Sequence, residues 1–233
     1  MRMKFVKFLT CWVLCALLLP FAVSAQDSRS SFWEKEDYTG HFIHEVVGDE
    51  YSLIKNVQKD KEIILRSDRI EILKKANVVT GAHEVSTYLL FSDMNKVQPK
   101  GQELIRSSKE NIATVYNDAA VQYLQAQQMD MHIYASVVYP NFYDGVDLEV
   151  SFDGAGEMVF NLVSKSGSLE KPLELTVWDA NARSSSDGVI SNGVNIASTS
   201  ADMSYSKGKI DFVNRNRSRR NYSFTLDLNQ STL

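Results

Sequence analysis

Short runs in which apolar and polar residues alternate recur along the chain. In residues 146–152 every second residue is apolar, and charged or hydroxyl residues stand between them. This period of two is typical of a β-strand with one buried face. A turn at Gly154-Ala155-Gly156 and a second apolar run at 158–163 follow. Together the two runs predict a β-hairpin.

Further β-compatible runs cover most of the remaining chain. They occupy residues 41–47, 51–57, 62–65, 69–73, 85–91, 134–139, 173–178, 188–190, 194–197, 210–213 and 222–228. We expect the run at 134–139 to end at Pro140-Asn141. Many short strands separated by turn residues predict a mainly-β fold, either an antiparallel β-sandwich or a barrel-like domain.

One segment differs from this pattern. Residues 104–128 are rich in Gln and Ala, which favour helix. Ile112, Val115 and Ala119 partly follow helical spacing. The pattern therefore leaves open one helix near 104–128 within the β-rich fold.

The first 25 residues have the layout of a secretory signal peptide. Arg2, Lys4 and Lys7 precede an apolar run at 8–21, and Val23-Ser24-Ala25 offers small residues before a cleavage site at Gln26. The run is shorter than the roughly 20 residues that cross a bilayer, so we expect membrane contact only during export. This predicts a signal peptide at 1–25, a flexible N-terminal segment at 26–39 and a single β-rich domain at 40–233.

Removal of the predicted signal peptide changes the charge and the cysteine content. The chain of 233 residues has a formal net charge of −4 and two cysteines. The peptide contains three positive charges, no acidic residue and both cysteines, so the exported chain would carry −7 and no thiol. This excludes disulfides, a thiolate nucleophile and cysteine metal sites. We expect a periplasmic, outer-surface or secreted bacterial protein that does not bind nucleic acid.

Acidic residues are the densest candidates for site chemistry. They are Asp144, Asp147, Glu149, Asp153 and Glu157. Calcium prefers oxygen ligands from alternating loop positions, so Asp144, Asp147 and Asp153 are candidate Ca²⁺ ligands, with no other cofactor expected. Paired carboxylates also serve glycoside hydrolysis, although a solvated strand face explains the same pattern.

Basic and aromatic residues supply the candidate binding groups. Arg215, Arg217, Arg219 and Arg220 form a basic cluster that suits anionic glycans or lipopolysaccharide, or that protects an edge strand. Tyr143 and Trp178 lie near turns and could stack on sugars.

Histidine spacing and serine motifs give no catalytic candidate. His41 and His44 are three residues apart in a predicted strand, which places them on opposite faces. No serine lies in a Gly-x-Ser-x-Gly elbow. The sequence therefore nominates no catalytic residue.

The most distinctive stretch is YASVVYPNFYDGVDLEV at 134–150, followed by Phe152, GEMVFNLV at 156–163 and Gly167. It resembles the N-terminal domain, of unknown function, of bacterial surface proteins that carry seven-bladed β-propeller (SBBP) repeats, with its v-Y-P-g-I-D-L and G-x-L-x-Y-D-F-x-V strands. Residues 83–95, 173–197 and 221–227 are similar to other strands of that family. The resemblance implies a β-rich extracytoplasmic fold, a Bacteroidetes-like source and extended structure at 104–128. It implies no catalytic residue.

Three function hypotheses follow. The leading one is an exported, non-enzymatic β-rich module for binding or for cell-envelope or surface assembly, with an envelope protein, surface protein or glycan as partner. One alternative is a secreted glycan-directed hydrolase that uses carboxylates in 144–157. The other is a binder of anionic glycan or lipopolysaccharide that uses the Arg215–Arg220 cluster.

Overall fold

In the computed structural model, the stretches in which apolar and polar residues alternate form β-strands. The structure describes residues 38–47, 51–58, 61–77, 82–107, 122, 129–167, 169, 171–179, 181–191, 193–198, 200–214 and 220–227. The strands in this part are β1 Tyr38–Val47, β2 Tyr51–Val57, β3 Lys61–Leu65, β4 Arg69–Asn77, β5 Ala82–Phe91, β6 Lys100–Ser107, β7 Met129–Tyr143, β8 Val146–Phe152, β9 Met158–Ser164, β10 Leu173–Trp178, β11 Arg183–Ser184, β12 Val189–Ser191, β13 Val194–Ala197, β14 Ala201–Ser206, β15 Lys209–Asn214 and β16 Asn221–Asp227.

All sixteen strands belong to one antiparallel sheet. The order is β11-β12-β13-β16-β9-β8-β7-β1-β2-β3-β4-β5-β10-β15-β14, and β6 pairs with β7. The sheet curls until the start of β14 approaches β16, where Ser200 Oγ accepts a hydrogen bond from the Ser223 N–H at 2.8 Å. The predicted mainly-β, barrel-like architecture is confirmed.

Strand β7 joins the two halves of this sheet. Residues 132–134 pair with both β1 and β6, and residues 137–138 pair with both β6 and β8. Because a strand has two edges, β6 lies along one edge of β7, and β1 and β8 follow each other along the other. The rings of Phe42 and Phe152 pack at their meeting point, with centroids 5.1 Å apart.

The main core lies inside the curl. Along β9 the burial alternates strictly, as the period of two requires. Phe160 on β9 stacks on Phe224 of β16 with centroids 4.7 Å apart, and Phe224 in turn stacks on Phe212 of β15 at 4.9 Å. These rings join strands from the two ends of the sheet across the interior.

The opposite face of β1–β3 is also buried. Ile54 and Ile63 belong to the main core, so their chain neighbours Lys55 and Ile64 face the other way, where both are buried as well. This second buried face contains an ion-paired cluster around Lys55.

Two expectations about these strands need correction or remain open. The run at 134–139 does not end at Pro140, because β7 continues to Tyr143. A register shift between Tyr139 and Tyr143 accommodates the proline, which cannot donate a ladder hydrogen bond. Residues 104–107, the start of the suggested helix, form part of β6, and residues 108–128, with the exception of 122, lie outside the described part.

Residues 1–37 also lie outside the described part, so the signal peptide remains a prediction. Among the described residues there is no helix with the length and apolarity needed to cross a bilayer.

Candidate ligand-binding pocket at the β7–β8 turn

A polar cavity of about 470 Å³ opens beside the turn between β7 and β8. We call it the turn pocket. It is lined by Asp93, Asn95, Tyr143, Asp144, Gly145, Val146, Ser164, Ser166, Leu169 and Lys171. Its size falls in the range of small-molecule sites in proteins.

Local sequence explains the shape of the turn. Tyr143 pairs directly with Val146, so Asp144 and Gly145 form a two-residue connection. Gly145 has a φ of +72°, a conformation that glycine adopts without strain. Asn141 also has a positive φ, +53°, which Asn tolerates better than most residues.

Side-chain contacts hold this backbone in place. The N–H of Asn141 donates to Asp147 Oδ1 at 2.7 Å, and Lys165 Nζ lies 2.8 Å from the same oxygen. The N–H of Lys165 donates to the carbonyl of Gly145 at 2.9 Å. Asp147 therefore has a structural role at the turn.

Asn95 attaches the segment after β5 to the turn. Its backbone N–H donates to the carbonyl of Phe142 at 2.8 Å, and its Nδ2 donates to the carbonyl of Asn141 at 2.8 Å. Nδ2 also lies 3.2 Å from Asp144 Oδ1. Asn95 thereby positions the Asp144 carboxylate at the pocket.

Tyr143 lies in the wall of the turn pocket. The residue is only 4% exposed, and its hydroxyl is buried with no hydrogen-bond partner in the protein. Burial raises the pKa of Tyr143 far above its ordinary value, with smaller contributions from Asp93 and Glu174. Its hydroxyl is therefore a neutral donor and acceptor that the protein leaves unused.

Lys171 covers the ring of Tyr143. Its Nζ lies 4.0 Å from the ring centroid and donates to the carbonyl of Asp93 at 2.8 Å. Lys171 thus occupies the face of Tyr143, which does not offer a ligand the stacking surface expected from the sequence.

The charged groups in the lining are two carboxylates and one ammonium group. Asp93, Asp144 and Lys171 are all exposed. Together with Asn95 and two serines, they present many donors and acceptors on a slightly acidic surface. Such a lining suits a polyhydroxylated ligand that carries no negative charge.

Four of the five nominated carboxylates lie near the two ends of β8. Asp144 and Asp147 lie at the turn pocket, whereas Asp153 caps the β8–β9 turn by accepting from the N–H groups of Ala155 and Glu157, both at 2.9 Å. The seven residues of β8 span about 20 Å, which separates Asp144 from Asp153. Glu149, in the middle of β8, is exposed.

These positions bear on the calcium and hydrolase hypotheses. Within the described ranges, no group of three or more His, Cys, Asp or Glu side chains is placed to hold a metal ion. Glycosidase carboxylates lie about 5 to 10 Å apart, a separation that Asp144 and Asp153 do not have.

The remaining candidates do not join the pocket. Arg215, Arg217 and Arg219 lie outside the described residues, while Arg220 is exposed and its carbonyl accepts from the Ser164 N–H at 2.8 Å. Trp178 is 66% exposed at the far end of β10, opposite Tyr88 of β5.

Sequence reasoning did not identify Asp93, Asn95 and Lys171 as pocket residues. Nothing in the local sequence indicates that the segment after β5 returns to the β7–β8 turn. The contact depends on strand pairing over about fifty residues, which alternation does not encode.

Comparison of the sequence with known families finds no family model that matches, and comparison with curated proteins finds no match either.

Proposed function

We infer that this chain is an exported, non-enzymatic β-module that binds a neutral or amino sugar of a cell-surface glycan in the turn pocket. The observation that carries this proposal is the polar lining of the turn pocket, which includes Tyr143, a residue whose buried hydroxyl has no partner in the protein. A buried hydroxyl without a hydrogen bond is unfavourable, and a ligand hydroxyl would satisfy it.

The charges favour one class of sugar. Asp93 and Asp144 outnumber Lys171 in the lining. A uronic acid would be repelled, whereas an amino sugar could place its ammonium group near Asp144. The predicted signal peptide and the resemblance to N-terminal domains of SBBP-repeat surface proteins support action at the cell envelope.

Saturation-transfer NMR tests this proposal with glucosamine, N-acetylglucosamine, glucose and galacturonate as probes. We expect signal transfer to glucosamine and to at least one neutral sugar, and none to galacturonate. Asp144→Asn should weaken glucosamine binding at least tenfold, and Asp153→Asn, at the other end of β8, should leave it unchanged.

Two outcomes would overturn the proposal. One is the absence of transfer to every probe. The other is transfer that responds equally to Asp144→Asn and Asp153→Asn, because binding would then not occur at the turn pocket.

A further inference from the structure

A second cluster of reactive side chains lies away from the turn pocket, near the start of β7. His44 on β1 is directly opposite His132 on β7. Directly opposite residues in an antiparallel ladder have Cβ atoms about 4.5 to 5.5 Å apart. The two imidazole centroids are 6.2 Å apart, and each lies 6.2 Å from the ring of Tyr134.

The ring nitrogens of His132 differ in their environments. Asp130 Oδ2 lies 3.4 Å from Nε2. The other nitrogen, Nδ1, is buried and has no hydrogen-bond partner. A carboxylate beside Nε2 favours the proton on that atom and leaves the lone pair on Nδ1, which is the arrangement found around metal-binding histidines.

His44 is oriented in a similar way. Its Nε2 and Ser52 Oγ form a hydrogen bond of 2.7 Å.

We propose that His44 and His132 form a two-histidine site for a divalent d-block cation. Asp130 orients His132, and the ring of Tyr134 borders one side of the site. Imidazole ligands suit Cu²⁺, Ni²⁺ and Zn²⁺, and the affinity of such a site is highest for Cu²⁺. With only two protein ligands, water completes the coordination shell. The site differs from the calcium site suggested by the sequence in position, ligands and metal.

Calorimetric titration of the tag-free chain with CuCl₂, NiCl₂ and MgCl₂ tests the site. We expect saturable binding of one Cu²⁺, weaker binding of Ni²⁺ and none of Mg²⁺. His44→Gln and His132→Gln should each lower Cu²⁺ affinity at least tenfold, whereas His41→Gln, on the same strand, should have no effect. Electron paramagnetic resonance should detect coupling to two imidazole nitrogens in the wild type and to one in each site variant.

Asp130→Asn provides a test that keeps both imidazoles in place. Loss of an orienting carboxylate lowers metal affinity by about 10- to 100-fold. Far-UV circular dichroism checks that each variant folds, and Asp130→Asn decides the question if a histidine variant does not. Absence of saturable Cu²⁺ binding, or equal affinity in the wild type and Asp130→Asn, would overturn the proposal.

Discussion

Lys55 on β2 forms an ion pair with Glu45 on β1, with 3.0 Å between Nζ and Oε1, although the two side chains are only 2% and 4% exposed. Glu62 on β3 lies on the other side of the same ammonium group at 3.1 Å. Lys55 is directly opposite Ile43 and Ile64, so both carboxylates are its diagonal neighbours. One lysine thus links three strands across a buried face.

This cluster predicts a large effect of Lys55→Met on stability. The substitution leaves two carboxylates buried without this cation, so the free energy of unfolding should fall by about 3 to 5 kcal/mol. Urea denaturation measures it. Lys209→Met, which breaks an exposed pair with Glu174, should have little effect. The triple variant Glu45→Leu, Lys55→Met, Glu62→Leu should recover much of the loss, and a triple variant weaker than Lys55→Met would contradict this account.

The contact between the start of β14 and β16, where the sheet nearly closes, predicts a second effect on stability. β13 ends at Ala197, and beyond it the edge of β16 is held by hydroxyl groups: Ser200 Oγ accepts from the Ser223 N–H, and Ser198 Oγ donates to the Ser223 carbonyl at 2.7 Å. Ser200→Ala should lower the free energy of unfolding by about 1 kcal/mol. Hydrogen exchange at the Ser223 amide should accelerate by about tenfold, whereas Ser206→Ala, exposed at the end of β14, should leave it unchanged.

The alternation of apolar and polar residues predicted where strands lie far better than it predicted which strands pair with each other. The expected bounds of 146–152 and 173–178 match β8 and β10, because each strand has one buried face and one polar face. β14 was missed, because Ala201 is its only fully buried residue and its sequence carries little apolar signal.

The candidate sites depend on pairings that no local pattern encodes. The turn pocket needs the segment after β5 to meet the β7–β8 turn, and the histidine pair needs residues 44 and 132 to share a register position. Such pairings are fixed by packing on both faces of the sheet. The sequence nominated Tyr143 for stacking on sugars and Asp144 as a Ca²⁺ ligand, and both could be singled out because they lie at the turn itself.

His44 predicts a pH dependence of stability. Burial lowers the pKa of His44 below its ordinary value of 6.5 in the folded chain, so the unfolded chain binds more protons in the interval between the two values. Stability should therefore fall as pH decreases from about 6.5 through the folded pKa. Urea denaturation from pH 5 to 8 should give a weaker pH dependence in His44→Gln. Proton NMR should place the midpoint of the His44 ring below 6.5, and a midpoint above that value would contradict the prediction.

Tyr143 predicts opposite effects on stability and binding. Its hydroxyl is buried without a partner, so Tyr143→Phe should raise the free energy of unfolding by about 1 to 3 kcal/mol. The same substitution removes the group proposed to bind the sugar and should weaken glucosamine binding. Tyr139→Phe is a matched control, because its hydroxyl is also buried without a partner but the residue does not line the turn pocket.

The control separates a ligand-binding hydroxyl from a merely buried one. Tyr139→Phe should stabilise the chain by a similar amount and leave glucosamine binding unchanged. Tyr222→Phe should give no gain in stability, since the Tyr222 hydroxyl donates to the Lys171 carbonyl at 3.4 Å. If Tyr143→Phe stabilised the chain with no loss of sugar binding, its hydroxyl would be a structural imperfection of the fold and the turn pocket would lack its proposed ligand contact.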